Sequence, residues 1–195
     1  MHLFFSTPIW TSKIDNYEKI NNEMVDYIST LQQSDPNGVV KSNFKGWHSK
    51  DFNLKDKEVT NFISSIKKYI NIPLNDMNWD LAAQSVKINN MWAIINEQNA
   101  LNQKHFHSNS DISAAYYVLA PENCGDIVFY DPRHSRLYKH PAAKSPNQLN
   151  ATVNSIKPEA GLLVLFPSYL EHSVNPNLSN HKRIVISFNL SLEKN

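Results

Sequence analysis

The chain has 195 residues, 41% hydrophobic and 19% charged, which is enough for one domain with a substantial core. Lys+Arg 19 against Asp+Glu 18 leaves a formal charge of +1, so no global field recruits nucleic acid or an anionic membrane. The single cysteine, Cys124, excludes an intrachain disulfide framework and a cysteine-based zinc cluster, and it fits a reducing, cytoplasmic compartment.

The opening apolar patch is short and broken by Pro8, and no stretch approaches the ~20 apolar residues of a membrane span. Asp15 and Glu18 have the spacing of a capping box, and behind them Ile20, Met24, Tyr27, Ile28 and Leu31 recur at helical intervals up to the breaker Asp35-Pro36-Asn37-Gly38. The loop that follows carries Trp47 and His48, the latter read as a surface histidine. A second amphipathic helix begins near Asp56, with Val59, Phe62, Ile63, Ile66 and Ile70 on one face and Pro73 just past its end. Neither helix has a basic polar face flanked by aromatics, so their apolar stripes predict core packing, not a membrane surface.

From Ser85 the period changes. Short β-type runs occupy 85–96, 112–120, 126–131, 151–156, 161–167 and 183–192, separated by turn-rich segments such as Pro121-Glu122-Asn123-Cys124-Gly125. Strands without interleaved helices predict an antiparallel sandwich or barrel. The expected organisation is a single domain over 1–195, with helical support over about 1–84 and a double-stranded β-helix (jelly-roll, cupin-like) barrel over about 85–192.

The chemistry-bearing residues follow that order. In a strand, His105 and His107 point to one face and Phe106 to the other, so two imidazoles converge as half of a metal site. Downstream, Pro158-Glu159-Ala160-Gly161 turns into the apolar run Leu162–Phe166, whose following loop delivers His172 as a third ligand. Alternation then sets Arg183, Ser187 and Asn189 on one face and Ile184, Ile186, Phe188 and Leu190 on the other. A buried guanidinium needs a partner: either the carboxylate of a small dianion, held in bidentate fashion, or an internal Asp or Glu. If a ligand is the partner, removing the Arg183 charge is expected to spare the fold.

This ordered set resembles the 2-oxoglutarate/Fe(II) oxygenase superfamily: H-x-H, Tyr-Tyr, Gly-Asp-x-x-Phe, Pro-x-x-Gly-apolar-Phe-Pro, His and then Arg. It is most similar to a small group of oxygenases from marine bacteria and their phages, and more distantly to prolyl hydroxylases, over Ser85 to Leu190 and the opening LFFSTPIW. The resemblance implies Fe(II), 2-oxoglutarate as cosubstrate and O2, with oxidative decarboxylation to succinate driving hydroxylation of a peptide side chain or small metabolite. It makes His105 and His172 iron ligands, and gives Arg183 and Tyr117 the far carboxylate of 2-oxoglutarate, with Ser187 in the same pocket. It makes Trp92 and Asn96 candidates to line the substrate or cosubstrate cavity, with structural packing the equal alternative for Trp92, and Asp131-Pro132-Arg133 resembles a rim segment without assigned chemistry. The family places a carboxylate two residues after the first histidine, where this chain has His107. The site is therefore either three-histidine or completed by Asp111. Histidine ligation predicts that metal affinity falls on acidification near ~6.5, the ordinary imidazole pKa. No residue selects the prime substrate, and a homodimer is compatible with the sequence. Two other classes remain. One is a cupin-like metalloprotein, which has no need of Arg183; the other is a non-catalytic jelly-roll module, which leaves the histidines unexplained.

Overall fold

The computed structural model describes residues 2–134 and 141–195. The chain enters through strand β1 (Trp10–Lys13), followed by helix α1 (Tyr17–Ser34), the two-residue strands β2 (Asn43–Phe44) and β3 (Trp47–His48), and helix α2 (Lys57–Asp76). Eight strands follow: β4 (Gln84–Asn96), β5 (Leu101–His105), β6 (Ile112–Leu119), β7 (Ile127–Tyr130), β8 (Val153–Ile156), β9 (Leu162–Pro167), β10 (His172–Val174) and β11 (Arg183–Lys194). The six β-type runs read from sequence are thus all strands. The first third is not purely helical, because β1 and β3 extend one sheet and β2 the other.

Every strand pair is antiparallel. The major sheet runs β1-β9-β6-β11-β4-β3 and the minor sheet β2-β5-β10-β7-β8, the two sheets of a double-stranded β-helix. Period-2 alternation divides the major sheet into two faces. Ile184, Ile186, Phe188 and Leu190 pack with Met91, Tyr116 and Leu163 against Ile28, Phe62 and Ile66 of the helices. The opposite face, with Tyr117, Phe166 and Val185, meets Ile127 and Phe129 of the minor sheet. The helices therefore cover one side and leave the other free to form a cavity between the sheets.

Two local expectations fail. Asp15 and Glu18 do not form a capping box: Asn16 caps α1 in the left-handed region without a side-chain bond. Asp15 instead accepts from Lys68 at 2.5 Å, and its N–H donates to Tyr69 Oη at 3.0 Å. The helix entrance is thereby tied to α2. Pro73 lies inside α2, not beyond it, with Met77 N–H bonding back to its carbonyl at 3.0 Å. In the last turn a proline removes one hydrogen bond without stopping the helix. Among the described residues, no helix is long and apolar enough to cross a membrane.

Candidate metal centre and its cavity

The minor sheet brings the histidines together by register. His105 ends β5 directly opposite His172, the first residue of β10, and His172 faces Phe129 of β7 on its other side. Directly opposed residues in an antiparallel pair share a face, so both imidazoles project toward the major sheet. His107 lies two residues beyond the end of β5, where its N–H donates to the Ser168 carbonyl at 3.0 Å. Ring centroids are 4.3 Å apart for His105 and His172, 5.1 Å for His105 and His107, and 5.2 Å for His107 and His172. One nitrogen from each ring lies within 4.8 Å of the other two.

The hydrogen bonds suit coordination. His105 Nδ1–H donates to the Gln103 carbonyl at 2.7 Å, and His172 Nδ1–H to the Leu170 carbonyl at 2.9 Å. With Nδ1 carrying the proton, each neutral ring keeps its Nε2 lone pair, and a backbone carbonyl behind a histidine is the usual outer support of a metal ligand. Phe166, 4.7 Å from the His172 ring, closes its far side. Burial pushes His172 down to about 3 and His107 to about 4, and lowers His105 as well; the charge of a protonated His105 adds to the first two. Three neutral nitrogen donors are what a divalent first-row metal requires, so the residues fit Fe(II).

Asp111 does not complete the cluster. It is exposed, and its Oδ2 accepts from Leu192 N–H at 2.8 Å, binding the start of β6 to β11. The three histidines are the metal-capable group among the described residues, and it contains no carboxylate.

A cavity of about 630 Å³ opens between the sheets, lined by the three histidines together with Arg183, Tyr117, Ser187 and Trp92. Arg183 is 1% exposed and faces inward, as its strand alternation predicts. It has no salt-bridge partner among the described residues, so the internal Asp or Glu is not there. Its Nη1 donates to the carbonyls of Cys124, Gly125 (3.0 Å) and Asn175 (3.3 Å); with the Asn96 amide turned so that its oxygen faces the guanidinium, Nη2 donates to that oxygen at 3.0 Å. Its Nε is buried without a partner. The turn allows this cradle because Gly125 sits at φ +87°, where a Cβ would lie 2.2 Å from the Asn175 carbonyl oxygen. Tyr117 is fully buried beside it, and burial raises its hydroxyl pKa, so it stays a neutral donor. An orphaned guanidinium N–H costs free energy unless an acceptor meets it, and a carboxylate is the strongest available.

Two features escaped the sequence reading. The carbonyl cradle of Arg183 is backbone chemistry and leaves no residue signature. His48 is not a surface residue: it is 7% exposed, lines the cavity and stacks on Trp92 at 5.6 Å with an interplanar angle of 8°. Its strand pairs Trp47 with Ile95 and His48 with Ile94, so Trp47 enters the helix-side core and His48 the cavity. A two-residue strand is too short to show a period. Asp131 and Arg133 form a bidentate pair with both bonds at 2.9 Å.

A family model described as "Putative 2OG-Fe(II) oxygenase" matches residues 90–189, which span β4 to β11 and all the residues of the centre. Among solved structures, a prolyl-4-hydroxylase of Pseudomonas putida aligns with a TM-score of 0.65 at 10% identity, covering 97% of this chain and 94% of its own. The viral collagen prolyl hydroxylase of Paramecium Bursaria Chlorella virus-1, in complex with 2-oxoglutarate, aligns at 0.58 and 14% identity over 93% and 95% of the two chains. HygX of Streptomyces hygroscopicus, with nickel and 2-oxoglutarate bound, aligns at 0.64 and 9% identity over 95% and 83%. At such identities the likeness speaks for the fold. No curated protein matches the sequence.

Proposed function

The chain belongs to the 2OG-Fe(II) oxygenase family and is an Fe(II)- and 2-oxoglutarate-dependent oxidoreductase that uses O2, and from this premise we propose that it hydroxylates a peptide side chain or small metabolite. In this reading His105, His107 and His172 hold the iron, while Arg183, Tyr117 and Ser187 hold the far end of 2-oxoglutarate. Bound iron supplies the activation of O2 that couples oxidative decarboxylation of 2-oxoglutarate, to succinate and carbon dioxide, with oxygen insertion into a C–H bond.

The protein's residues supply position and charge. The observation that carries the reading is the buried, unpartnered Nε of Arg183 in the cavity that the three histidines also line. Three neutral imidazoles leave the metal's charge uncompensated, and Arg183 adds another cation; among the described residues that line the cavity, Asp51 is the only carboxylate. A dianion that reaches both cations offsets that excess. Tyr117 adds a neutral hydroxyl donor beside the guanidinium, and Phe129 and Phe166 exclude water behind His172. The cupin-like and non-catalytic readings give way to the family match. We further assign the protein to the cytoplasm, with no membrane partner, in keeping with its charge and single buried cysteine.

Anaerobic Fe(II) titration with and without 2-oxoglutarate tests this function. A weak visible charge-transfer band that needs both additions, and succinate formation on admitting O2, is the expected result. No band and no succinate would overturn it.

A further inference from the structure

The cavity is larger than the cosubstrate needs. At the ~30 Å³ that liquid water allots to each heavy atom, a ten-atom diacid takes about 300 Å³, roughly half of the 630 Å³ available. Two buried donors on the cavity wall lack a partner, Arg183 Nε and Trp92 Nε1. Trp92 stands opposite Ser187 on β11, four residues from Arg183, or about 13 Å along the strand. A five-carbon diacid spans only about 5 Å between its terminal carbons, with C–C bonds of about 1.5 Å. The backbone positions that carry the two donors are thus set further apart than the diacid is long.

Beside Trp92 lies an acceptor. His48 donates its Nδ1–H to the Ser49 carbonyl at 2.6 Å, which leaves Nε2 as a lone pair without a partner among the described residues. The two stacked rings thus offer one donor and one acceptor. A carboxylate would suit the indole N–H but face the imidazole lone pair. An ammonium would suit the lone pair but face the indole N–H. A secondary amide satisfies both with its own C=O and N–H.

We propose that His48 and Trp92 form the recognition corner for the prime substrate, and that this substrate presents a peptide-type amide, its carbonyl accepting from Trp92 Nε1 and its N–H donating to His48 Nε2. The assignment rests on the oxygenase reading above and selects the peptide class within it.

The test needs no knowledge of the full substrate. The protein loaded with Zn(II) and 2-oxoglutarate gives a nitrogen–proton spectrum with four indole signals, and that of Trp92 is identified by its loss in Trp92→Phe. N-methylbutanamide is the probe, compared with methyl butanoate, butanoate and butylammonium. The amide is expected to move the Trp92 indole signal while Trp10, Trp47 and Trp79 stay in place. Its affinity should exceed that of the ester, which lacks the N–H, by about tenfold, one hydrogen bond's worth. His48→Phe, which keeps a ring on Trp92, should remove that difference. The inference is overturned if the amide leaves the signal unmoved, if ester or butanoate binds as well as the amide, or if 2-oxoglutarate alone shifts the indole and the amide adds nothing. A parallel anaerobic Fe(II) sample separates the failures. A charge-transfer band with a silent indole sinks this inference alone, whereas no band sinks the oxygenase reading beneath it.

Discussion

In the proposed reading Arg183 performs two tasks, and the choice of substitution decides which one is measured. Its Nη1 donates to three backbone carbonyls and so ties the Cys124–Gly125 turn to Asn175, while Nε has no partner in the protein. Arg183→Leu therefore does not spare the fold, contrary to what the strand pattern alone suggests. It orphans one buried and two half-buried carbonyls, at roughly 1–3 kcal/mol for each fully buried acceptor, or about 2–4 kcal/mol together after allowing for exposure. That is a large part of the ~5–15 kcal/mol that stabilises a typical domain. Arg183→Lys is the sharper perturbation. An ammonium keeps the charge and can still donate to carbonyls, but it has no planar edge for a bidentate carboxylate. Losing the whole partner of a buried charge pair costs ~2–5 kcal/mol; with the charge retained, about 1.5–3 kcal/mol is expected. At 1.4 kcal/mol per tenfold, 2-oxoglutarate should bind roughly ten- to a hundredfold more weakly. The anaerobic charge-transfer titration measures this directly, with calorimetry of Fe(II) alone as the control for metal affinity. Uncoupled succinate formation should show the same rise in 2-oxoglutarate requirement. If Arg183→Lys binds 2-oxoglutarate like the wild type, the guanidinium is only a structural tie and the anchor lies elsewhere.

The remaining predictions concern the histidines. His172→Ala removes one of three nitrogen donors and should weaken Fe(II) by at least the ~10–100-fold that losing an outer-shell partner costs; unchanged calorimetric affinity would place the metal elsewhere. His107→Asp puts a carboxylate where the family ordinarily carries one, so it should retain Fe(II) while weakening 2-oxoglutarate through the added negative charge; loss of the metal would refute position 107 as a ligand. Because burial lowers all three imidazole pKa values, proton competition for the metal is displaced below ~6.5, and Fe(II) affinity should stay flat down to that pH; a decline beginning near pH 8 would contradict neutral, buried ligands. The metal-free fold should itself weaken in acid. The His172 pKa falls from ~6.5 unfolded to about 3 folded, so its contribution is intact above pH 6.5 and is lost progressively as pH drops toward 3. That amounts to about 2 kcal/mol at pH 5 from this residue, and a urea midpoint equal at pH 7 and pH 5 would refute it.

What the sequence made legible follows the length of each element. The pairing of β4 with β11 runs from Arg183 opposite Asn96 to Lys194 opposite Gln84, broken by one register shift between Asn189 and Leu190, and strands of this length carry enough alternation to expose their faces. That is why the sequence pattern alone turns Arg183 and Ser187 inward. The α1 entrance misled because capping chemistry is a local preference, and here Asp15 found a tertiary partner in Lys68. Pro73 misled in a similar way: a proline tolerated in the last turn looks, in sequence, like one that follows the helix.

The centre itself was half legible, for a reason that lies in its geometry. The expectation for His105 and His107 assumed a strand through both, but β5 stops at His105 and His107 is held by its own N–H on the Ser168 carbonyl. The convergence survives because β10 sets His172 directly opposite His105, a register fixed between strands 67 residues apart in the chain numbering. Sequence can name such a pair as two histidines but cannot bring them face to face. The same limit hid His48, whose two-residue strand shows no period and whose role arises only when β3 pairs with β4. It hid the cradle of Arg183 more completely, since three carbonyls look alike in every sequence. What those contacts leave over is more informative than what they satisfy. Among the described residues two buried donors remain unanswered, both on the wall of one cavity. A fold that otherwise pairs its buried N–H groups leaves such donors unmet where a ligand completes them. The cavity therefore asks for acceptors beside two side chains whose backbone positions lie four residues apart along the β4–β11 ladder, and the pair of Trp92 with His48 asks for a donor as well.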